Sequence, residues 1–340
     1  MNNILLDDLI RDEKKIDKSL YSSGPYWKYK NKKSILEIKK FGLRDFRGMS
    51  SGVATSFSDN IVTNLKMEFN EADFRGRLIK IVSSLPIFKS VFNAQLNITT
   101  KYANSYLENK AIVYENNVSV KNLLKKYQFN NTTNFGCLTK FKHFNCEYSC
   151  HYLDLAHRIS VLSKSFKFEE ITSFFEIGGG FGANIHFLLT NFPNIKKVLY
   201  LDIVPNIYVG TEYLRHFYKD QVIDYSQLRN LEEIKFTENN ELEILCIPPW
   251  LIEKVNVKVD HFHNAASFVE MPKVVILNYI KFVKKFRTKG ISLISYDKFD
   301  PNTTFNPEIL NDLFDKKLEV SWNKNLIEDY NRYSIYLLSK

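Results

Sequence analysis

The chain has 340 residues, of which 44% are hydrophobic and 25% charged, so it is long enough to bury the core of one large soluble domain with an appendage. Phe and Tyr are abundant, and there are only 12 glycines and 9 prolines, which argues against long disordered linkers. The net charge of +9 favours a negatively charged partner, such as nucleic acid, a nucleotide-linked sugar or an anionic membrane surface. A basic, solvated surface is the alternative that needs no partner.

Met1–Lys15 does not read as a signal peptide, and no apolar stretch is long enough to cross a bilayer, so we expect a cytoplasmic protein without a membrane span. The four cysteines fit a reducing compartment. A zinc site is conceivable where three of them lie near a histidine, at Cys137, His143, Cys146 and Cys150. Because no Cys-x-x-Cys pair is present, we interpret them as core thiols and predict no metal.

Residues 1–145 predict a mostly helical region, which we assign to substrate binding, and residues 146–340 a catalytic domain. The boundary is expected near Asn145. A first amphipathic helix is indicated by apolar residues at helical spacing and ends at a Ser-Ser-Gly-Pro break; these residues are Leu5, Leu9, Ile16 and Leu20. Further helices are predicted at 68–84, 118–127 and 148–163.

Leu43–Gly52 is a loop rich in glycine, serine and arginine. Arginine presents a planar fork of donors that suits phosphate oxygens. We therefore predict that Arg44 and Arg47 contact a phosphate of the substrate. Two surface arginines flanking Asp45 are an equally open alternative.

The segment Phe174–Ala183 reads Phe-Phe-Glu-Ile-Gly-Gly-Gly-Phe-Gly-Ala and organises the second half of the chain. It predicts a buried strand, a glycine turn and then a helix, which is the cradle for a nucleoside cofactor in doubly wound folds. The glycines Gly178, Gly180 and Gly182 let the ligand approach the backbone, and the helix N-terminus offers free N–H groups. Asp202, at the end of the next strand, is placed to bind the ribose hydroxyls.

Two cofactor classes are compatible with this turn. Gly178-x-Gly180-x-x-Ala183 satisfies the dinucleotide fingerprint, so NAD or FAD stays open. S-adenosylmethionine (SAM) is favoured by Glu176, an acid two residues before the first glycine, and by the extension of the pattern to Gly182. The position of the motif halfway along the chain also favours SAM.

Strands and helices alternate after residue 173, which predicts an α/β fold with a largely parallel sheet and right-handed crossovers. The last two strands lack a connecting helix and should be antiparallel. Seven strands ending in such a pair are typical of the Rossmann-like class I SAM methyltransferase fold. The predicted strands are 174–178, 197–202, 242–247, 257–263, 290–296, 317–322 and 333–338, and the predicted helices are 183–192, 206–219, 268–287 and 306–315.

Ile247-Pro248-Pro249-Trp250 ends a buried strand and is similar to the Asn-Pro-Pro-Tyr motif of enzymes that methylate amino groups. In those enzymes the first position accepts an N–H, which Ile247 cannot do, so amino methylation is not favoured. We predict instead that Pro248 and Trp250 form an apolar wall against the adenine ring.

Polar residues crowd the end of the strand 257–263, where ligands of parallel sheets bind. We predict His263 as a general base and Asn264 as a cofactor contact, whereas a satisfied core histidine is the alternative for His263 and the preferred interpretation of His261. Ser267 and Glu270 have capping-box spacing. Their functional interpretation is a substrate contact for Ser267 and a hydroxyl ligand or general base for Glu270.

Asp297 follows the strand 290–296 and is a possible substrate-binding acid on the same rim, with an ordinary turn residue as the alternative.

Taken together, four segments resemble the sugar O-methyltransferases encoded with bacterial capsule and lipopolysaccharide pathways. They are Phe175–Gly182, Leu201–Asn206 continuing to Leu214, Pro248–Trp250 and Asn264–Met271, within residues 145–300. The resemblance implies SAM as the methyl donor and a sugar hydroxyl as the acceptor, on a nucleotide-activated or glycan-bound sugar. The N-terminal third has no counterpart in it, so the sugar stays open.

Three alternatives remain. A nucleic acid methyltransferase would use the positive charge, but would need a continuous basic face with aromatics. An NAD-dependent oxidoreductase would use the glycine turn. A non-enzymatic adaptor on a methyltransferase fold is disfavoured because Glu176 and Asp202 are intact. A divalent metal on the rim could lower the pKa of the acceptor hydroxyl, but no ligand spacing demands one.

Overall fold

The computed structural model describes residues 4–43, 46–48, 81–82, 85–86, 90, 120–136, 141–143, 146–286, 289–296, 323–329 and 332–339. The chain divides into two compact units. The larger comprises Asn2–Tyr29 and Ile159–Lys340, and the smaller comprises Lys30–Arg158 together with Met1. The predicted functional division near Asn145 stays a prediction.

The helices are α1 (Ile4–Glu13), α2 (Lys18–Tyr21), α3 (Pro25–Phe41), α4 (Val120–Lys126), α5 (Cys150–Leu162), α6 (Ala183–Asn191), α7 (Asn206–Tyr218), α8 (Tyr225–Leu228) and α9 (Lys273–Lys285). The strands are β1 (Phe141–His143), β2 (Cys146–Tyr148), β3 (Ser173–Ile177), β4 (Lys197–Leu201), β5 (Val222–Ile223), β6 (Glu243–Ile247), β7 (His261–Ala265), β8 (Gly290–Tyr296), β9 (Asn323–Asp329) and β10 (Arg332–Ser339). Short 3₁₀ segments lie at Phe46–Gly48, Phe168–Glu170, Lys219–Gln221, Pro249–Lys254 and Phe268–Glu270.

The larger unit is built on a sheet with the strand order β5-β6-β4-β3-β7-β8-β10-β9. The six strands from β5 to β8 are parallel, and β10 is antiparallel to both β8 and β9. The predicted α/β fold, with a mostly parallel sheet and an antiparallel C-terminal strand, is therefore confirmed. Strands β3 and β6 are buried at all five positions, as expected for parallel strands covered on both faces.

Several predicted boundaries were wrong. The described residues contain eight strands of this sheet, and two of them, β5 and β9, match no predicted strand. The two-residue β5 is too short to produce a periodic signal. Strand β7 covers 261–265 rather than 257–263. The predicted helix 268–287 is a 3₁₀ turn followed by α9, since the ring of Pro272 disfavours helix at Met271. The predicted elements 306–315 and 317–322 lie outside the described residues.

The first predicted helix is two helices, because Asp17 interrupts it and caps α2 by accepting from the Ser19 N–H at 2.8 Å. Leu6 and Leu9 of α1 are buried. Both helices belong to the same compact unit as the sheet. The predicted helix 118–127 is confirmed as α4 and 148–163 as α5, whereas 68–84 lies almost wholly outside the described residues.

The smaller unit uses Arg47 internally. The side chain is fully buried, and its guanidinium donates to the Thr132 carbonyl at 2.8 Å and to Ser149 Oγ at 2.7 Å. It also lies 5.7 Å from the centre of the Tyr152 ring. These hydrogen bonds argue against the predicted phosphate contact at Arg47, because a guanidinium that is buried and bonded within the unit is not exposed to a ligand. Arg44 lies outside the described residues.

No helix among the described residues is both long and apolar enough to span a bilayer. Within the same residues, no group of His, Cys, Asp or Glu side chains could hold a metal ion. Cys137 and the side chains of His143 and Cys150 lie outside this part of the chain.

Candidate cofactor and acceptor site

The glycine turn leaves the carboxyl end of β3 with left-handed backbone at Gly178, Gly180 and Gly182, whose φ angles are 74°, 62° and 82°. Such angles are costly for any residue with a Cβ atom, which explains the motif. Gly182 then forms the N-cap of α6 without a side-chain cap. The free N–H groups of this helix start therefore face the turn.

Gly178 is also required by its neighbour across the sheet. A Cβ atom at this position would lie 2.3 Å from Ser267 Oγ. Ser267 Oγ lies 3.2 Å from the Ile177 carbonyl oxygen, and Asn264 Nδ2 donates to that same oxygen at 2.8 Å. Asn264, near the end of β7, and Ser267, just after that strand, thus both contact the end of β3. We call this pair of contacts the clasp.

This clasp changes the interpretation of two predicted site residues. The predicted capping box is absent, because Ser267 makes no side-chain cap and its hydroxyl faces Ile177 instead. Asn264 is 2% exposed, and its Oδ1 accepts from the Phe268 N–H. In this geometry Asn264 and Ser267 hold the loop, while their direct contacts with cofactor and substrate stay predictions.

The Glu176 side chain is buried against the backbone of the glycine turn. The side chain is 3% exposed, and its Oε1 accepts from Asn184 Nδ2 of α6 at 2.8 Å. A Cβ atom at Gly179 would meet the Glu176 carboxylate at 2.7 Å. The second glycine therefore allows the carboxylate to sit directly against the loop backbone.

Tyr200 of β4 supports the turn from below. Its hydroxyl donates to the Gly180 carbonyl at 2.6 Å, and the ring is fully buried. The ring fits because Gly210 of α7 has no side chain; a Cβ atom there would lie 2.2 Å from the Tyr200 hydroxyl. No periodic signal in the sequence indicates this pairing, since the two residues belong to different elements.

We expect Gly210→Ala to lower the free energy of unfolding by about 2 kcal/mol, because overfilling a packed site forces the Tyr200 ring to move. Urea unfolding measures this loss. The same substitution in a Tyr200→Leu background should cost less, since the ring is gone. Equal losses in the two backgrounds would contradict the contact.

Asp202 follows β4 and closes the other side of the turn. Its Oδ2 accepts from the Gly180 N–H at 2.8 Å and its Oδ1 from the Ile203 N–H at 2.7 Å. Burial raises the pKa of Asp202 to about 7, although hydrogen bonds from these two N–H groups and from the Asn206 side chain lower it. The charge of Glu270 adds to the increase. An ionised carboxylate has further lone pairs on each oxygen, so Asp202 can still accept hydroxyl donors.

Pro248 and Trp250 leave the carboxyl end of β6, the strand next to β4. Pro248 is buried, whereas Trp250 is partly exposed. The Trp250 ring packs edge-on against Tyr225 at 5.8 Å. This position beside the Asp202 strand is compatible with the predicted adenine wall, which stays a prediction.

His263 is the third residue of β7, whereas it was predicted as the last residue of its strand, and it is 3% exposed. Its Nδ1 lies 2.7 Å from Ser292 Oγ, and His261 Nε2 lies 2.8 Å from the same oxygen. Since a hydroxyl carries one hydrogen, Ser292 can donate to only one ring and accepts from the other. Burial lowers the pKa of His261 to about 3, so this ring is neutral, in line with its predicted structural role.

Glu270 is the more accessible of the two predicted bases. It ends the 3₁₀ turn after β7, is partly exposed, and accepts at Oε2 from Trp27 Nε1 at 2.8 Å. Sequence reasoning missed Trp27, because 243 positions separate the partners. Asp297, the other acid predicted on this rim, lies outside the described residues.

The residues present fit SAM in two observable respects. A left-handed, Cβ-free loop meets a carboxylate that can accept the ribose hydroxyls, as described for Gly180 and Asp202. In addition, Asn206 Oδ1 is buried with no hydrogen-bond partner among the described residues, beside Asp202. A buried acceptor without a donor is costly, and the adenosine part of the cofactor has hydroxyl and amino donors that could bind there.

No protein-family model matches the sequence, and no curated protein does either. Solved methyltransferase structures are similar to it. A mitomycin 7-O-methyltransferase is 11% identical with a TM-score of 0.37, and the match covers 56% of this chain and 57% of that one. An Aquifex aeolicus SAM-dependent methyltransferase is 17% identical with a TM-score of 0.35, over 53% and 89% of the two chains.

The magnesium protoporphyrin IX methyltransferase of Synechocystis PCC 6803, solved with bound SAM, is 10% identical with a TM-score of 0.37, over 56% of this chain and 78% of that one. The chain therefore spans less than two thirds of the mitomycin enzyme, but more of the other two. At this level of identity and TM-score, these likenesses do not say what the chain binds. That inference depends on the site itself.

Proposed function

We propose that this protein is a SAM-dependent O-methyltransferase whose acceptor is a sugar hydroxyl, on a nucleotide-linked sugar such as a GDP-linked heptose or hexose of bacterial surface polysaccharide biosynthesis. The observation that carries the proposal is the glycine turn closed by Asp202, with the Gly180 N–H donating to the carboxylate at 2.8 Å. The acceptor is supported by the sequence resemblance, and the charge of +9 is compatible with a phosphate-bearing substrate.

In this proposal the turn residues and Asp202 hold the adenosine part of the cofactor, and Glu176 lies on the side of its amino acid end. Bound SAM supplies an electrophilic methyl group. The chain then has to align the acceptor oxygen with that group and remove the hydroxyl proton. Alignment contributes several kcal/mol, and a positioned base typically adds ~10²–10⁴-fold. Glu270, on the rim, is better placed than the buried His263 to contact an acceptor.

Methyl transfer can be tested directly with SAM and a panel of GDP-, UDP- and dTDP-linked sugars, including GDP-heptoses. We expect one sugar to gain a single methyl group by mass spectrometry. An RNA pool and a nicotinamide-binding assay run in parallel. Methylation of RNA with no sugar modified, or binding of nicotinamide cofactor without SAM, would overturn the proposal.

The nucleic acid alternative makes a distinct prediction about salt. Binding to RNA through phosphate contacts weakens steeply as salt rises. Tight, salt-sensitive RNA binding would favour that alternative, whereas a nucleotide sugar contacted at few phosphates should show a shallow dependence.

A further inference from the structure

Within the larger unit, the N-terminal segment 4–29 makes polar contacts with segments that follow the sheet strands, and four of them are considered in turn. Arg229 Nη1 lies 2.8 Å from Asp8 Oδ2, and the Tyr225 hydroxyl donates to Asp12 Oδ2 at 2.9 Å. The hydroxyl of Tyr21 donates to Glu253. The fourth contact is the bond from Trp27 to Glu270.

The partners of these contacts all lie in segments that follow parallel strands of the sheet. Tyr225 and Arg229 follow β5, Glu253 follows β6 and Glu270 follows β7. These strands are parallel, so the segments that leave their carboxyl ends share an edge with the glycine turn and Asp202. Ligands of open α/β sheets bind at this edge. The segment 4–29 therefore contacts several of the connections that begin at this edge, and through Glu270 it contacts the candidate site itself.

Of the four contacts, the one from Trp27 involves Glu270, the residue that we propose as the base. Trp27 lies in the first turn of α3 and donates its only side-chain hydrogen to the carboxylate that we assign as acceptor ligand and base. We infer that Trp27 is a positioning residue of the acceptor site, which orients the Glu270 carboxylate toward the hydroxyl group to be methylated. This inference rests on the proposed function.

The acceptor oxygen bonds to the methyl carbon, the carbon–sulfur bond breaks with its electron pair left on sulfur, and the hydroxyl proton goes to Glu270. A carboxylate held by a fixed hydrogen bond keeps one orientation, which a base needs in order to reach the hydroxyl proton. Loss of the Trp27 donor should therefore slow the proton-removal step.

The placement can be tested without any acceptor. A variant with Trp250→Phe and Trp322→Phe retains Trp27 as the sole tryptophan. We expect its indole emission to change as pH is lowered, because protonation of Glu270 alters the hydrogen bond, and the change should disappear on adding Glu270→Gln. Emission that titrates identically with and without Glu270→Gln would overturn the inference, even if the protein methylates a sugar.

The role is tested with the acceptor found in the methyl transfer screen. Trp27→Phe keeps a packed ring and should lower kcat by about 10–100-fold when SAM and acceptor are saturating, while the KM for SAM stays that of the wild type. Tyr21→Phe is the matched control, since it removes a donor to Glu253 from the same segment and should keep the kcat of the wild type. An unchanged kcat in Trp27→Phe, or an equal loss in both variants, would overturn the role. If no acceptor is found, the proposed function fails while the emission experiment still decides the placement.

Discussion

Gly178→Ala is expected to abolish measurable binding of S-adenosylhomocysteine and to lower the free energy of unfolding by about 2–4 kcal/mol. Two causes act together. The φ angle of 74° is strained for alanine, and the new Cβ atom would lie 2.3 Å from Ser267 Oγ. Relieving the backbone strain or the steric clash requires movement of the glycine turn, or of the Asn264 and Ser267 contacts that hold it. Calorimetric titration and urea unfolding measure the two losses.

A second substitution separates the two causes. Ser267→Gly removes both the Oγ and the Cβ atom, which would lie 2.3 and 2.4 Å from the alanine methyl group, so only the backbone strain should remain in Gly178→Ala/Ser267→Gly. The double variant should recover part of the stability lost in Gly178→Ala, measured against Ser267→Gly alone. No recovery would mean that the close approach of Ser267 and Gly178 is not a feature of the folded protein.

The strand, glycine turn and carboxylate were predictable from sequence because local physics imposes them. A buried parallel strand must be apolar, a left-handed turn must be glycine, and the next strand ends at the same edge. Gly178, Gly180, Gly182 and Asp202 therefore come together as expected. The predicted strands 174–178, 197–202, 242–247 and 290–296 were found for the same reason, while the start of β7 was displaced by four residues.

Contacts between distant segments could not be predicted in this way. The bond between Trp27 and Glu270, the burial of Arg47 and the fit of Gly210 against Tyr200 depend on packing that has no period in the sequence. Capping-box spacing at Ser267 was misleading for a related reason. The Ser267 hydroxyl faces the carbonyl of Ile177 instead of a helix N-terminus, and Pro272 delays the helix start that a cap would serve.

The largest pH effect should come from Asp202. Because burial raises its pKa to about 7, this carboxyl is mostly protonated at pH 6 and mostly ionised at pH 8. Ribose hydroxyls donate best to the ionised form. We therefore expect the affinity for S-adenosylhomocysteine to rise about tenfold from pH 6 to pH 8. Titration calorimetry measures it, with adenosine as a second ligand that lacks the amino acid groups.

Two variants identify the titrating group. Asp202→Asn should bind about 10–100-fold more weakly at pH 8 and lose most of the pH dependence. Asp260→Asn should retain it, because Asp260 precedes β7 at the opposite edge. Although burial acts in the other direction, hydrogen bonds from Lys289 and Thr172 lower the pKa of Asp260 to about 2, so it does not titrate in this range. An unchanged pH dependence in Asp202→Asn would assign the titration to another group.

The same carboxyl should have the opposite effect on stability without ligand. The folded chain holds a proton on Asp202 up to about pH 7, whereas the unfolded chain releases it near its ordinary pKa of 3.8. The folded state therefore binds more protons between these values, and the contribution of Asp202 to the free energy of unfolding falls as pH rises through this window. Above it, the fold carries a buried charge whose cost a ribose diol can offset. Urea unfolding should thus show wild type losing stability relative to Asp202→Asn from pH 4 to pH 7, and less so with saturating S-adenosylhomocysteine.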